Sequence, residues 1–169
     1  LLVFMKKFIA IVVLVILAFF GYYIDFDLDG MTSAVTVDIP ETYISDNGEI
    51  EVIMCPHQDC EGKLLEFIDS ASESLHCAFF EVDLDKIRDK LLEKSAEIEV
   101  KVITDDKYLY EFDHSFVRVD RSGLMHNKFC IVDGVKVSSG SMNPTDNGAF
   151  KNNNNLLLIE SSTLASNYE

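Results

Sequence analysis

Proline, glycine and cysteine are all scarce in this chain of 169 residues, which contains three, eight and four of them respectively. So little glycine and proline excludes a collagen-like fibre, and four cysteines are too few for a small domain held together mainly by disulfides. Apolar residues make up 48% of the chain and charged residues 25%. Because that is enough apolar surface to bury a core, the composition also excludes intrinsic disorder.

Basic residues are scarce as well: 14 Lys and Arg stand against 29 Asp and Glu, for a net charge of −15. This argues against a protein that holds DNA by bulk positive charge. The excess is uneven, since ten acids and no base lie between Asp25 and Glu61, whereas residues 100–151 contain seven of each. We therefore expect any anionic substrate to bind within the second region, whose bases include Arg118, Arg121, Lys128, Lys136 and Lys151.

The N-terminal part contains an uncharged, mostly apolar run from Phe8 to Ile24, directly after Lys6 and Lys7. As a helix it would be about 26 Å long, a little less than the ~30 Å hydrocarbon core of a bilayer. No small-x-small cleavage site ends the run, which favours an uncleaved anchor over the alternative of a cleaved signal peptide. The lysines then remain inside. The sequence predicts a single-pass membrane protein with a cytoplasmic N-terminus (1–7), a transmembrane anchor (8–24), an acidic linker (25–49) and an extracytoplasmic domain (50–169).

The residues after the anchor number about 145, enough for one compact domain but not for two. Strand patterns at 50–54, 75–82 and 98–103 alternate with amphipathic helical patterns at 60–74 and 84–92. This alternation predicts an α/β fold in which helices flank a mixed, mostly parallel sheet. Four short strands are expected to follow, at 116–120, 128–133, 135–139 and 156–160, and the chain stops within a predicted helix.

Two pairs of polar residues stand out among the later strands. His126 and Lys128 are two apart on a predicted strand, so their side chains leave the same face. An imidazole beside an ammonium is costly in a core, but it suits a place where a phosphate is held and attacked. Ser141 and Asn143 repeat the spacing after Gly140. The four side chains therefore predict a phosphate site.

The pattern His-x-Lys-x4-Asp-x6-Gly-Ser-x-Asn resembles the signature of the phospholipase D superfamily. Its six fixed positions are His126, Lys128, Asp133, Gly140, Ser141 and Asn143. The resemblance covers roughly residues 50–169. It implies a phospholipase D-like catalytic half-domain, truncated at its C-terminus if the gene continues, that needs no metal and no cofactor.

The resemblance also implies a mechanism. One histidine attacks the phosphodiester phosphorus to form a covalent phosphohistidine, and a second histidine protonates the leaving oxygen. Lys128, Ser141 and Asn143 are expected to hold the non-bridging phosphate oxygens. Asp133 belongs to the catalytic motif, but we expect it to order its loop rather than to react.

Two features depart from the family's pattern. This chain has one His-x-Lys motif where the mechanism needs two, so we expect either a homodimer or a second motif in a longer chain. Family members often carry a glutamate that orients the nucleophilic histidine, and Asn154 occupies the expected position. An amide can orient the ring without stabilising its charge, and Glu160 or another acid is an alternative.

The four cysteines are predicted to serve two purposes. Cys55 and Cys60 flank His57, and outside the cytoplasm a Cys55–Cys60 disulfide is favoured over free thiols or a metal site. Cys77 and Cys130 lie in apolar strands and are expected to be buried packing residues.

The sequence therefore predicts a membrane-anchored phosphodiester hydrolase of the phospholipase D type. The anchor favours phospholipid headgroup esters as substrates because it places the site near the membrane. A homodimeric endonuclease acting on nucleic-acid phosphodiesters and a non-catalytic phosphate-binding module are the alternatives.

Overall fold

A computed structural model describes residues 48–121 and 123–169, together with Val12. The predicted cytoplasmic terminus, the anchor apart from Val12, and nearly all of the acidic linker lie outside the described residues and stay predictions. Within the described ranges, no helix is both long and apolar enough to cross a membrane.

A seven-stranded sheet organises the described part of the chain, in the order β1-β7-β6-β5-β2-β3-β4. The strands are β1 (Ile50–Cys55), β2 (Ser74–Phe79), β3 (Glu99–Asp105), β4 (Val117–Asp120), β5 (Lys128–Val132), β6 (Lys136–Gly140) and β7 (Asn154–Glu160). The helices are α1 (Cys60–Asp69), α2 (Asp85–Ser95), α3 (Asp146–Phe150) and α4 (Ser162–Tyr168), with a 3-10 turn at Leu109–Glu111. Each strand and helix predicted between residues 50 and 169 has a counterpart here, and α3 and the 3-10 turn are additional.

The prediction of a mostly parallel sheet is wrong. Only the β2–β3 and β3–β4 pairs are parallel, whereas β1–β7, β2–β5, β5–β6 and β6–β7 are antiparallel. The short turn between β5 and β6 can join only antiparallel neighbours, because a parallel crossover needs a dozen or more residues. β1 pairs with β7 at the edge of the sheet rather than with β2, a long-range pairing that has no signal in the local pattern.

The two faces of the sheet are covered differently. Helices α1 and α2 pack on one face, where Leu64, Ile68, Ile87 and Leu91 are fully buried against strand residues such as Leu75. Asp59 accepts a hydrogen bond from the Gly62 amide at 2.8 Å and so caps the start of α1. On the other face, α4 covers a smaller cluster built on Ile131, Val137 and Ala165. At the end of the sheet where β2 ends and β5 begins, His126 and Asn127 are exposed to solvent.

All four cysteines are paired in disulfides. The predicted Cys55–Cys60 disulfide is confirmed, so these two sulfurs are not available as metal ligands. Cys77 and Cys130 are buried as predicted, but the expectation that they only pack is corrected, because they are bonded to each other. They are direct partners across β2 and β5, with Cα atoms 4.1 Å apart. That register is a property of the sheet, so the spacing along the chain could not reveal the pair.

Candidate functional site

Lys128 and Ser141, two of the predicted phosphate-binding residues, lie at the end of the sheet where β2 ends and β5 begins. Phe79, the last residue of β2, is the register partner of Lys128, the first residue of β5. One step further, the Phe80 amide donates a hydrogen bond to the Asn127 carbonyl at 2.9 Å. His126 therefore lies just beyond the end of this strand pair. β6 runs beside β5 and ends at Gly140, which brings Ser141 to the same edge.

His126 is exposed to solvent, but its ring packs against another aromatic ring. The ring packs edge-on against Phe80, with the two centroids 4.9 Å apart. Phe80 is itself held edge-on by Tyr108, again at 4.9 Å between centroids. Aromatic pairs prefer this T-shaped arrangement. The imidazole is therefore held by an apolar wall on one side and is accessible to a substrate on the other.

Lys128 is half-buried beside this histidine. Its ammonium donates a hydrogen bond to the His126 backbone carbonyl at 2.9 Å and lies 5.3 Å from the centre of the Phe80 ring. Burial lowers the pKa of Lys128, and the negative charge of Glu81 opposes this effect. Within the described part of the chain, Lys128 forms no salt bridge of 4.0 Å or less. Its ammonium is therefore not neutralised by a contact ion pair.

Ser141 is held by hydrogen bonds to the start of β7. Its amide donates to the Asn155 side-chain oxygen at 2.9 Å, and its hydroxyl accepts from the Asn155 amide at 3.0 Å. Gly140 makes this close approach possible, because a Cβ there would lie 2.4 Å from the Asn155 carbonyl oxygen and its φ is +138°. The buried Asn143 side-chain oxygen has no hydrogen-bond partner among the described residues. That amide thus keeps unused hydrogen-bonding capacity.

Asp133, which belongs to the motif, lies away from His126 and Lys128. It follows the far end of β5, about 17 Å along the strand from Lys128. Its carboxylate accepts hydrogen bonds from the amides of Ser72, Glu73 and Ser74, and from the Ser72 hydroxyl, at 2.8–3.2 Å. Burial alone would raise the pKa of Asp133, but these hydrogen bonds lower it to about 2. The contacts fit the expected loop-ordering role.

The predicted histidine-orienting residues make other contacts. The Asn154 side-chain amide donates to the Gly148 carbonyl at 2.9 Å, and its oxygen accepts from the Ser141 hydroxyl at 3.1 Å. Both ends of this side chain are therefore engaged in holding Ser141 and the α3 turn, not the His126 ring. Glu160 is the register partner of Lys136 at the opposite end of β7. It is too distant to substitute for the missing glutamate.

Glu81 is a carboxylate near this edge that the sequence interpretation missed. Burial raises its pKa, as do the negative charges of Glu111 and Asp83, whereas Lys128 lowers it. A usable signal was present, because Glu81 is a charged residue directly after the apolar run that forms β2. Its closeness to Lys128 depends on the β2–β5 pairing, which only the tertiary structure reveals.

The mixed sheet thus carries a histidine and a lysine side by side at the start of β5. The family profile described as cardiolipin synthase, PLD-like domain, matches residues 64–169, which is more than half of the chain. The chain therefore belongs to the phospholipase D superfamily.

The names of similar proteins agree with this family assignment. The mitochondrial cardiolipin hydrolase of Xenopus tropicalis is 32% identical over 126 residues, a match that covers 68% of this chain and 60% of the relative. A phospholipase D of Rickettsia bellii is 28% identical over 131 residues, covering 71% of this chain and 65% of the relative. This chain thus spans somewhat less than two thirds of the length of these relatives.

A solved structure agrees at the level of the fold. Nuc, a phospholipase D family member from Salmonella typhimurium, superimposes with a TM-score of 0.63 at 23% identity. The superposition covers 72% of this chain and 89% of that protein. The α/β architecture with flanking helices is thereby shown to be phospholipase D-like.

Proposed function

We propose that this protein is a phosphodiester hydrolase that acts through a covalent phosphohistidine on His126. The observation that carries the proposal is the arrangement of side chains at the end of the sheet where β5 begins. A solvent-accessible imidazole is backed by Phe80, Lys128 lies beside it, and Ser141 and Asn143 follow the neighbouring strand. Such a set provides a nucleophile and hydrogen-bond donors for the charge that develops on a phosphoryl group.

The reaction proceeds in two displacements. A ring nitrogen of His126 attacks phosphorus, the bond to the leaving alcohol breaks, and a second histidine protonates that alcohol. A water molecule then gives its proton to the second histidine and attacks the phosphohistidine, which releases His126 and a phosphomonoester. Lys128, Ser141 and Asn143 hold the non-bridging oxygens in both steps.

The second histidine comes from a second copy of the chain or from a segment beyond residue 169. The other histidines of this chain lie elsewhere. His76 is bonded to Glu99 and Glu169 on the α4 side of the sheet, at 2.9 and 2.8 Å. His114 packs between Phe112 and Phe116, and His57 lies in the Cys55–Cys60 loop. A symmetric pair would place two exposed His126 side chains across one substrate.

Phospholipid headgroup esters are the substrate class that we favour. Several relatives are named cardiolipin hydrolases or phospholipases D, and the predicted anchor would hold the site near a membrane. The acidic groups near the site, Glu81, Asp83 and Glu111, would also repel the repeated phosphates of a nucleic acid. Nucleic-acid cleavage by a homodimer and phosphate binding without turnover remain the competing proposals.

The purified full chain in detergent tests this proposal directly. We would incubate it with vesicles of cardiolipin or phosphatidylcholine, and separately with labelled single-stranded DNA. His126→Ala should abolish lipid hydrolysis, whereas His57→Ala, which removes an exposed histidine elsewhere, should leave it intact. Cleavage of DNA alone would contradict the lipid assignment. Equal and negligible turnover by the wild type and His126→Ala, with retained phosphate binding, would instead favour the binding module.

A further inference from the structure

Met125, the residue before His126, attaches the loop between β4 and β5 to the rest of the domain. This loop, residues 121–127, carries His126. Met125 is buried, with only 4% of its surface exposed, whereas the other described residues of the loop are exposed. The position of the His126 backbone therefore depends mainly on the contacts that hold Met125.

Asp105, the last residue of β3, holds the backbone of Met125. Its Oδ2 accepts a hydrogen bond from the Met125 amide at 3.2 Å, and its Oδ1 accepts one from the Lys107 amide at 3.1 Å. Asp105 is buried, with 1% of its surface exposed. A buried carboxylate is costly unless its oxygens are hydrogen-bonded, so the two amides stabilise it in this position. The same bonds fasten the His126 loop to β3.

The end of β3 also holds the two aromatic rings that stand behind the imidazole. The Asp105 carbonyl accepts a hydrogen bond from the Tyr108 amide at 3.0 Å. The Thr104 hydroxyl donates one to the Phe80 carbonyl at 3.3 Å. The Tyr108 ring packs edge-on against Phe80, and Phe80 packs edge-on against His126. Asp105 is therefore connected to His126 by two routes, through the loop backbone and through the two rings.

We propose that Asp105 is a positioning residue of this site, which holds the His126 loop and the Tyr108–Phe80 ring pair so that the imidazole stays in place for attack on phosphorus. The role rests on the proposed phosphodiesterase function, because the orientation of His126 affects turnover only if its ring reacts. A displacement of a reacting group by about 1 Å can cost about 100-fold in rate. The hydrogen bonds of Lys128 and Ser141 go to other partners, so phosphate binding should survive a change at Asp105.

The position of the His126 ring can be measured without any turnover. In the full chain in detergent, with isotope-labelled histidine and phenylalanine, the nuclear Overhauser effect between the His126 and Phe80 rings reports their contact. His126→Ala identifies the His126 signals. In Asp105→Ala we expect this Overhauser effect to be lost and the amides of residues 123–127 to exchange faster with deuterium. In Asp105→Asn, which keeps one acceptor oxygen, the effect should weaken but persist.

Kinetics provide the second readout. We expect kcat to fall about 100-fold in Asp105→Ala and about tenfold in Asp105→Asn, because the amide can still hold one of the two backbone groups. KM should stay within about twofold, since the loss concerns the geometry of attack rather than substrate binding. Asp106→Asn is the matched control, because it makes the same chemical change at the exposed neighbouring residue. It should leave both kcat and the Overhauser effect unchanged.

Ser161→Ala separates positioning from a general loss of stability. The hydroxyl of the buried Ser161 accepts a hydrogen bond from the Leu164 amide at 2.9 Å, beyond the end of β7 that lies away from the site. Its removal also takes a buried acceptor from a backbone amide. At a temperature at which circular dichroism shows every variant folded, kcat should fall only in the Asp105 variants. A wild-type kcat or an unchanged Overhauser effect in folded Asp105→Ala would overturn the inference.

The folding of the variants has a defined meaning as well. If Asp105→Ala does not fold, the nearly isosteric Asp105→Asn decides alone by the same two readouts. Failure of both variants to fold would show that Asp105 stabilises the whole domain rather than this loop, and it would count against the proposal. If the wild type hydrolyses no phosphodiester, the proposed function fails. The Overhauser effect and the deuterium exchange then still decide whether Asp105 holds the His126 ring.

Discussion

At the scale of single residues, the motif divides into members that form the site and members that shape its surroundings. The Lys128 ammonium is bonded to the His126 carbonyl at the start of β5. Asp133, at the opposite end of β5, is hydrogen-bonded to the segment before β2. Gly140 and Asn154 bring Ser141 into place through close backbone approach and a side-chain hydrogen bond. A fixed residue in a catalytic signature can therefore be there for the geometry of a loop.

Asp133→Asn should lower the free energy of unfolding at neutral pH by about 2 kcal/mol, because an amide cannot accept all the hydrogen bonds of the carboxylate. The native pKa of about 2 is below the ordinary value of 3.8. Asp133 therefore contributes stability above pH 3.8 that is lost as the pH falls towards 2. Urea unfolding of both proteins across this range should show the difference shrinking to near zero. Asp106→Asn, on an exposed aspartate of the same chain, should show no such difference at either pH.

Gly140→Ala should destabilise the fold and displace Ser141, because its Cβ would meet the Asn155 carbonyl oxygen at 2.4 Å. We expect a loss of about 2 to 3 kcal/mol in the free energy of unfolding, combining overpacking and left-handed backbone strain. Gly134→Ala is the matched control, since φ is +63° there but nothing lies within 4 Å of the added carbon. It should lose only about 1 to 2 kcal/mol. Equal losses in urea unfolding would show that the close approach at Gly140 is unimportant.

At the scale of elements, the position of the site depends on β2 and β5 lying side by side. These strands are separated by two further strands and a helix along the chain, and they are joined covalently by Cys77–Cys130. The same pair places Phe80 against the His126 ring and Phe79 opposite Lys128. The disulfide therefore links the two elements that together build the site.

Removing Cys77–Cys130 should cost more stability than removing Cys55–Cys60. The first closes a loop with a sequence separation of 53 and the second one with a separation of 5. Loop-closure entropy then predicts losses of about 4 and about 2 kcal/mol respectively. Paired alanine variants, Cys77→Ala with Cys130→Ala and Cys55→Ala with Cys60→Ala, can be compared by urea unfolding. A larger loss for the short loop would contradict this entropic account.

At the scale of the whole molecule, the described chain holds one exposed histidine suited to nucleophilic attack, whereas the proposed mechanism uses two. The His126 edge is open, so a second copy could approach it. If two chains share one site, each must contribute an intact His126.

Mixing wild type with His126→Ala distinguishes the assemblies. After subunit exchange at a one-to-one ratio, a shared site leaves activity near a quarter of that of the undiluted wild type, because both chains of a pair must be intact. A site complete within one chain leaves about a half. Sedimentation of the same samples gives the mass of the active species. An active monomer would contradict the dimer proposal.

Periodicity and motif spacing are local properties of a chain, so the amino-acid sequence was sufficient to predict the strand and helix segments, the family and the candidate residues His126, Lys128, Ser141 and Asn143. It also indicated the Cys55–Cys60 pair, whose members are five residues apart. Only the folded chain shows that the sheet is mostly antiparallel, that Cys77 is bonded to Cys130, that Asp133 lies away from His126 and that Glu81 lies near Lys128. Each of these depends on which strands become neighbours. Strand pairing joins residues that are distant along the chain, so no local pattern carries it.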